Sequence, residues 1–256
     1  MSGARKTADA IVLPLLTAAA AIALWVIAVK LTNTKIFPTP WAVVKGLAAL
    51  AEKKLLWSYI ADSLFRVFAG YGLAVLLGVP LGILLGWSPR LAAVCNPVIQ
   101  LLRPISPLAW MPLAVIWFGV SNVAPVFLIF LASFFSILVA SMNGVRNVPS
   151  MYVQAGRNFG LSRMQLMRRV IFPAVLPRII VGLRLAFGIA WLVLVAAEMI
   201  AVDSGLGYLI IDARNAGKRY DLVIGGMLLI GIIGLILDGV IRRAETWRSV
   251  RWGFRD

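Results

Sequence analysis

FRVFAGYGLAVLLGVPLGILLGW, residues 65–87, carries one charge, Arg66, and is otherwise continuously apolar. About 20 such residues at 1.5 Å rise each span the ~30 Å hydrocarbon core of a bilayer as a helix. A barrel strand would instead alternate apolar and polar residues over about ten positions. Small residues recur at every fourth position, at Gly70, Ala74, Gly78, Gly82 and Gly86. That spacing lines one helix face and lets a second helix approach closely. The stretch therefore predicts a transmembrane helix with a packing stripe.

The rest of the chain follows this pattern. Hydrophobic residues make up 61% of the 256 residues and charged residues 14%, against about 45–50% and 25% in soluble domains. This excludes a disordered chain and disfavours a single water-soluble core. The fold class read from the sequence is all-α, a polytopic membrane protein with about six transmembrane helices, and residues 1–256 form a single transmembrane domain. Its spans fall near Ala10–Val29, Phe65–Trp87, within Leu91–Gly119, Val123–Val145, Ile179–Val202 and Leu222–Ile241. The third is interrupted by Pro97, Pro104, Pro107 and Pro112. Phe37-Pro38-Thr39-Pro40 reads as a stiff turn, and Trp41 to Ala51 as an amphipathic segment at the outer interface. Gly225, Gly226, Gly231, Gly234 and Gly239 of the last span read as packing glycines.

The net charge of +15 fits basic cytoplasmic loops rather than nucleic-acid binding. With the N-terminus inside, fourteen Lys and Arg fall on inner segments and eight on outer ones. The inner set includes Arg5, Lys6, Arg248, Arg251 and Arg255, and the outer set includes Lys35. Both termini are thus expected in the cytoplasm. The chain has no His, which removes the commonest general base and metal ligand. Its single Cys95 forms no intrachain disulfide. No metal site and no catalytic residues are expected, and a membrane enzyme is disfavoured.

Residues 146–178 form the longest inner connection. Met151 to Phe159 predicts a short helix with Gly160 as its stop. Ser162 and Gln165 have capping-box spacing, so a second helix starts at Ser162. Pro173 and Pro177 are expected to punctuate the chain before the fifth span, giving a basic helix–turn–helix.

Gln154-Ala155-Gly156-Arg157-Asn158-Phe159-Gly160 and Val170-Ile171-Phe172-Pro173 resemble the loop of permeases of bacterial ABC importers. Their pattern is Glu-Ala-Ala, three residues, Gly, nine residues, then Ile, any residue, Leu, Pro. Ala155, Gly160 and Pro173 match in register. Gln154 replaces the Glu and cannot make its charged contact, and Gly156 replaces the second Ala at about 1 kcal/mol of helix propensity. Arg103-Pro104-Ile105-Ser106-Pro107, Trp117-Phe118-Gly119, Gly182-Leu183-Arg184, Ala197-Glu198 and Gly205-Leu206-Gly207-Tyr208-Leu209 are similar to the subfamily importing nitrate, sulfonates and taurine.

The resemblance implies a type I ABC importer permease fold in the bacterial inner membrane, commonly a homodimer. It also implies two cytoplasmic ATPase subunits, an external solute-binding protein and alternating access. The coupling helix would comprise Gln154, Ala155, Gly156, Arg157, Phe159 and Gly160, followed by Pro173. ATP and Mg would sit on the partner ATPase. The chain itself has no G-x-x-x-x-G-K-[ST] phosphate loop and is expected to hold no cofactor. An ATP-independent channel or secondary carrier is the competing reading.

Charges within spans are costly and commonly face a path or a partner. Arg103, Ser106, Trp117, Arg184 and Glu198 are the candidates for lining a translocation path. Arg66 is read as snorkelling at its span's outer end, and Asp238 as pairing with Arg242. Arg184 and Glu198 lie fourteen residues apart on one helix, about 21 Å, and cannot pair directly.

Overall fold

A computed structural model describes residues 3–32, 36–215 and 217–244. Lys35, Arg248, Arg251 and Arg255 lie outside the described residues, as do the side chains of Arg5 and Lys6. Among the described residues the secondary structure is helical throughout, with no strand.

Helix α1 (Gly3–Thr32) covers the first predicted span, Ala10–Val29, but its described apolar part, Leu16–Thr32, is shorter than a full span, so four to five of the six expected spans are found among the described residues. Trp25 Nε1 donates to Pro38 O at 3.1 Å, tying α1 to the Phe37–Pro40 turn. Helix α2 (Pro40–Glu52) is capped by Thr39, whose hydroxyl accepts from the Ala42 N–H at 3.2 Å. Helix α3 (Leu55–Trp87) starts well before Phe65 and runs through Pro80. Helices α4 (Pro89–Leu102) and α5 (Met111–Phe118) are joined through a short 3-10 turn (Pro107–Trp110). They bend by 79° at a break where the prolines cluster, so the third span is a broken one. Helix α6 (Val123–Arg146) is continuous.

Helices α7 (Ser150–Asn158) and α8 (Arg163–Leu166) make the predicted inner connection. Contrary to the sequence expectation, Pro173 and Pro177 do not interrupt the chain, because α8 passes through a π turn (Met167–Ile171) straight into α9 (Phe172–Ala201). Proline lacks an N–H and its ring crowds the carbonyl four residues back. The wider π turn relieves both problems at Pro173. Helix α10 (Leu206–Asn215) and helix α11 (Tyr220–Ala244) are the last described elements. The long apolar helices Leu55–Trp87, Val123–Arg146, Arg163–Ala201 and Tyr220–Arg243 are four continuous spans, and the bent α4–α5 pair makes a fifth.

Helix α6 is the centre, packed between α3 and α9. Leu128, Ile129 and Ile137 are fully buried there. The small-residue stripe is what admits α6 to α3. A Cβ on Gly82 would lie 2.5 Å from Leu138 O, and one on Gly70 2.6 Å from Val126 O. Those are backbone atoms of α6 and cannot step aside. The last span is less uniform. Gly225 meets Leu47, Gly226 meets Ile210 and Gly234 meets Trp191, whereas Gly231 and Gly239 face open space.

Candidate coupling surface and translocation path

The α7 segment ends in a hydrogen-bonded C-cap built by the sequence around Gly160. Gly160 takes φ +74°, the left-handed region that glycine enters without a Cβ penalty. Its N–H donates to Arg157 O at 2.9 Å, and the Leu161 N–H donates to Gly156 O at 3.1 Å. This pair of bonds is the Schellman arrangement. The chain then re-enters a helix through the predicted capping box. Gln165 N–H donates to Ser162 Oγ at 3.3 Å, and Ser162 N–H donates to Gln165 Oε1 at 2.9 Å. Gly156, a weak helix former, is buried because a Cβ there would sit 2.5 Å from Leu166 Cδ1. It lets α7 lie close on α8.

With Gly156 turned inward, Met151, Gln154, Ala155, Asn158 and Phe159 form an adjoining face at i, i+3, i+4, i+7 and i+8 spacing, and all are exposed. Phe159 is 86% exposed. Arg157 is exposed beside this face, and Pro173 starts α9 behind it. The result is a rigid knob with an apolar tip and a basic flank.

The path candidates do not converge. Arg103 lines a cavity of about 260 Å³ where α4 breaks, together with Trp110, Ser136 and Ile189. Ser106 is exposed in the same break but does not line the cavity. Trp117 is 54% exposed and packs edge-on against Phe118 and Phe127 at centroid distances of 6.3 and 6.1 Å. Arg184 is held by Asp238 of α11 through two bonds, Nε to Oδ1 at 2.8 Å and Nη2 to Oδ2 at 2.9 Å. Asp238 thus pairs across helices rather than principally with Arg242. Glu198 is sealed in the protein at 0% exposure.

The chain matches the family of binding-protein-dependent transport system inner membrane components over residues 78–248. It is 36% identical to the taurine transport system permease protein TauC of Escherichia coli strain K12, over 88% of this chain and 85% of that protein. The chain belongs to this family. The nitrate import permease protein NrtB of Leptolyngbya laminosa is 37% identical over 74% of this chain and 67% of its own. An inward-facing structure of the MetNI methionine ABC transporter shares the fold, with a TM-score of 0.64 and 19% identity over 77% of this chain and 95% of that one. The chain is thus a multi-pass permease of an ABC importer, a transport subunit rather than an enzyme. Such permeases work with an ATPase and a solute-binding protein.

Within this permease the strongest polar cluster pairs two residues that sequence reasoning kept apart. Arg66 is 1% exposed and does not snorkel. Its Nη1 donates to Glu198 Oε1 and to Ser204 O, both at 2.7 Å. Nη2 donates to Ser204 Oγ at 2.6 Å and Asn122 Oδ1 at 2.7 Å, and Nε donates to Asn122 Oδ1 at 2.9 Å. The Ser63 hydroxyl lies 2.8 Å from both Glu198 oxygens and accepts from the Leu206 N–H at 2.9 Å. The Gly207 N–H donates to Glu198 Oε2 at 3.0 Å.

Gly205 makes room for this cluster at φ +106°, because a Cβ there would strike the Glu198 carboxylate and lie 2.6 Å from Arg66 Nη1. Every guanidinium N–H is satisfied, which is what a buried pair requires to offset its desolvation. The network fastens α3, α9, the turn into α10 and the start of α6. It is a clamp and not a path lining. The Gly205-Leu206-Gly207 run was the local signal, since both glycines border the carboxylate.

Proposed function

We propose that two copies of this chain form the translocation path for a small anion of the nitrate or sulfonate class across a bacterial inner membrane. An external solute-binding protein delivers the anion. Two ATPase subunits bind ATP and Mg on the cytoplasmic side and grip the α7 knob, with Phe159 as its apolar anchor. This chain holds no cofactor of its own. The observation that carries the reading is the knob. An exposed aromatic at the C-cap of a short helix, held by the Schellman bonds of Gly160 and Leu161, suits insertion into a partner's groove better than solvent. The relatives named for taurine and nitrate support the substrate class, and Arg103 at the cavity supplies the matching charge.

Closure of the ATPases on ATP favours one orientation of the cavity, and hydrolysis releases it. The ligand's differential affinity for the two states drives the change. The test is uptake into proteoliposomes containing the permease and its ATPase, with binding protein outside and ATP inside. Labelled taurine and nitrate are the probes. Uptake that requires both ATP and the binding protein is expected. Downhill uptake without ATP would move an ATP-independent channel or carrier to the front.

A further inference from the structure

Helix α4 carries a row of polar side chains that its membrane setting does not explain. Asn96, Gln100 and Arg103 recur at i, i+4 and i+7, and all three are exposed. Among the described residues none of their side chains makes a hydrogen bond or an ion pair. At about 100° per residue the helix divides into three sectors. Ala92 and Ile99 are buried, packed with Leu85, Leu138 and Met142. Val94, Val98 and Leu101 form an apolar outer face, with Val94 76% exposed. The polar row lies in a third sector of about 60°, bordering the buried one.

A row of this kind cannot face hydrocarbon without a cost of about 2.5–3.5 kcal/mol for the arginine alone. It also has a destination. Arg103 opens into the cavity of about 260 Å³ beside Ser136 and Ile189. Both sit near the middle of their helices, Val123–Arg146 and Phe172–Ala201. From Arg103 the row descends about 10 Å through Gln100 to Asn96, towards Pro89 and the Arg-rich end.

We infer that this row is the inward exit track for the transported anion. The Arg103 guanidinium receives an oxyanion at the cavity that it lines with Ser136, whose own hydroxyl donates to Ala132 O at 3.3 Å. The amides of Gln100 and Asn96 then hand it on by N–H donation. A single flexible cation and neutral amides hold an anion weakly enough to release it. The inference rests on the proposed function, because it needs an aqueous path along this chain.

Substituted-cysteine labelling tests it. In a Cys95→Ala parent, single cysteines replace Asn96, Gln100, Val94, Val98 or Leu101. The complex with its ATPase is reconstituted in liposomes. It is then reacted with an anionic methanethiosulfonate (the ethylsulfonate) and a cationic one (the ethyl-trimethylammonium). Asn96→Cys and Gln100→Cys should react at least about tenfold faster than the three apolar positions. At Gln100→Cys the anionic reagent should be favoured, and adding Arg103→Gln should move that preference towards the cation by about tenfold, as expected for one nearby charge.

Equal labelling of all five positions, or silence at Asn96→Cys and Gln100→Cys in a complex that still imports, would overturn the track and leave the proposed function standing. Failure of the Cys95→Ala parent to show ATP-driven uptake, although it assembles, would bring down the proposed function and the track with it.

Discussion

Replacing Arg66 with Met isolates the energetics of the buried clamp. The substitution removes five donated hydrogen bonds while roughly preserving volume. Glu198 keeps only the Ser63 hydroxyl and the Gly207 N–H, with no counter-charge at 0% exposure. Asn122 Oδ1 loses both of its arginine donors. Breaking one side of a buried pair costs about 3–5 kcal/mol. At about 2–4 °C per kcal/mol for a chain of this size, thermal unfolding in detergent should fall by about 6–20 °C. The double variant Arg66→Met/Glu198→Met removes both charges and should unfold at a higher temperature than Arg66→Met alone, because no unpaired ion remains. Fluorescence-monitored unfolding of wild type, both singles and the double closes the cycle. A loss under about 1 kcal/mol for Arg66→Met, or a double variant no more stable than the Arg66 single, would refute the clamp.

Further outcomes follow from the packing and the caps. Gly82→Ala places a Cβ 2.5 Å from Leu138 O and should cost about 1–3 kcal/mol. Gly72→Ala meets nothing within 4 Å and should be neutral or stabilising by up to about 1 kcal/mol; the same unfolding assay separates them. Gly205→Ala combines φ +106° with a clash on the Glu198 carboxylate and should abolish monodisperse protein on size exclusion. Gly156→Ala meets only side-chain tips, those of Leu166, Leu161 and Val170, and no backbone, so it should stay monodisperse and hold the ATPase. Ser162→Ala removes the capping box and should cost about 1 kcal/mol, read as faster amide exchange over residues 162–166 with unfolding of the spans unchanged.

The spans, the small-residue stripe and the capped inner loop were legible in the sequence because each is written in local spacing. Hydropathy over some 20 residues, a glycine every fourth position and Ser162 with Gln165 all report on one helix or one turn. The long-range pairs had no such signature. Arg66 and Glu198 are 132 residues apart in the chain and Arg184 and Asp238 54 apart, so only tertiary packing brings them together. Arg66 looked like a snorkelling end residue because α3 was expected to begin at Phe65. Its start at Leu55 puts Arg66 well inside the helix. Pro173 looked like a break, and the π turn before it absorbs the missing donor. Asn96 and Gln100 had helical spacing with Arg103 all along, but the four prolines around them drew the reading towards a broken span.

The most direct test of the central claim, that this chain is driven through the α7 knob, is retention of the ATPase on purified permease when Gly160 is replaced by Pro. Proline cannot adopt φ +74° and removes the N–H that donates to Arg157 O. Every membrane span is left untouched. Wild type should hold the ATPase through size exclusion, and Gly160→Pro should lose it while unfolding at an unchanged temperature. A folded Gly160→Pro variant that retains the ATPase as well as wild type does would contradict the claim.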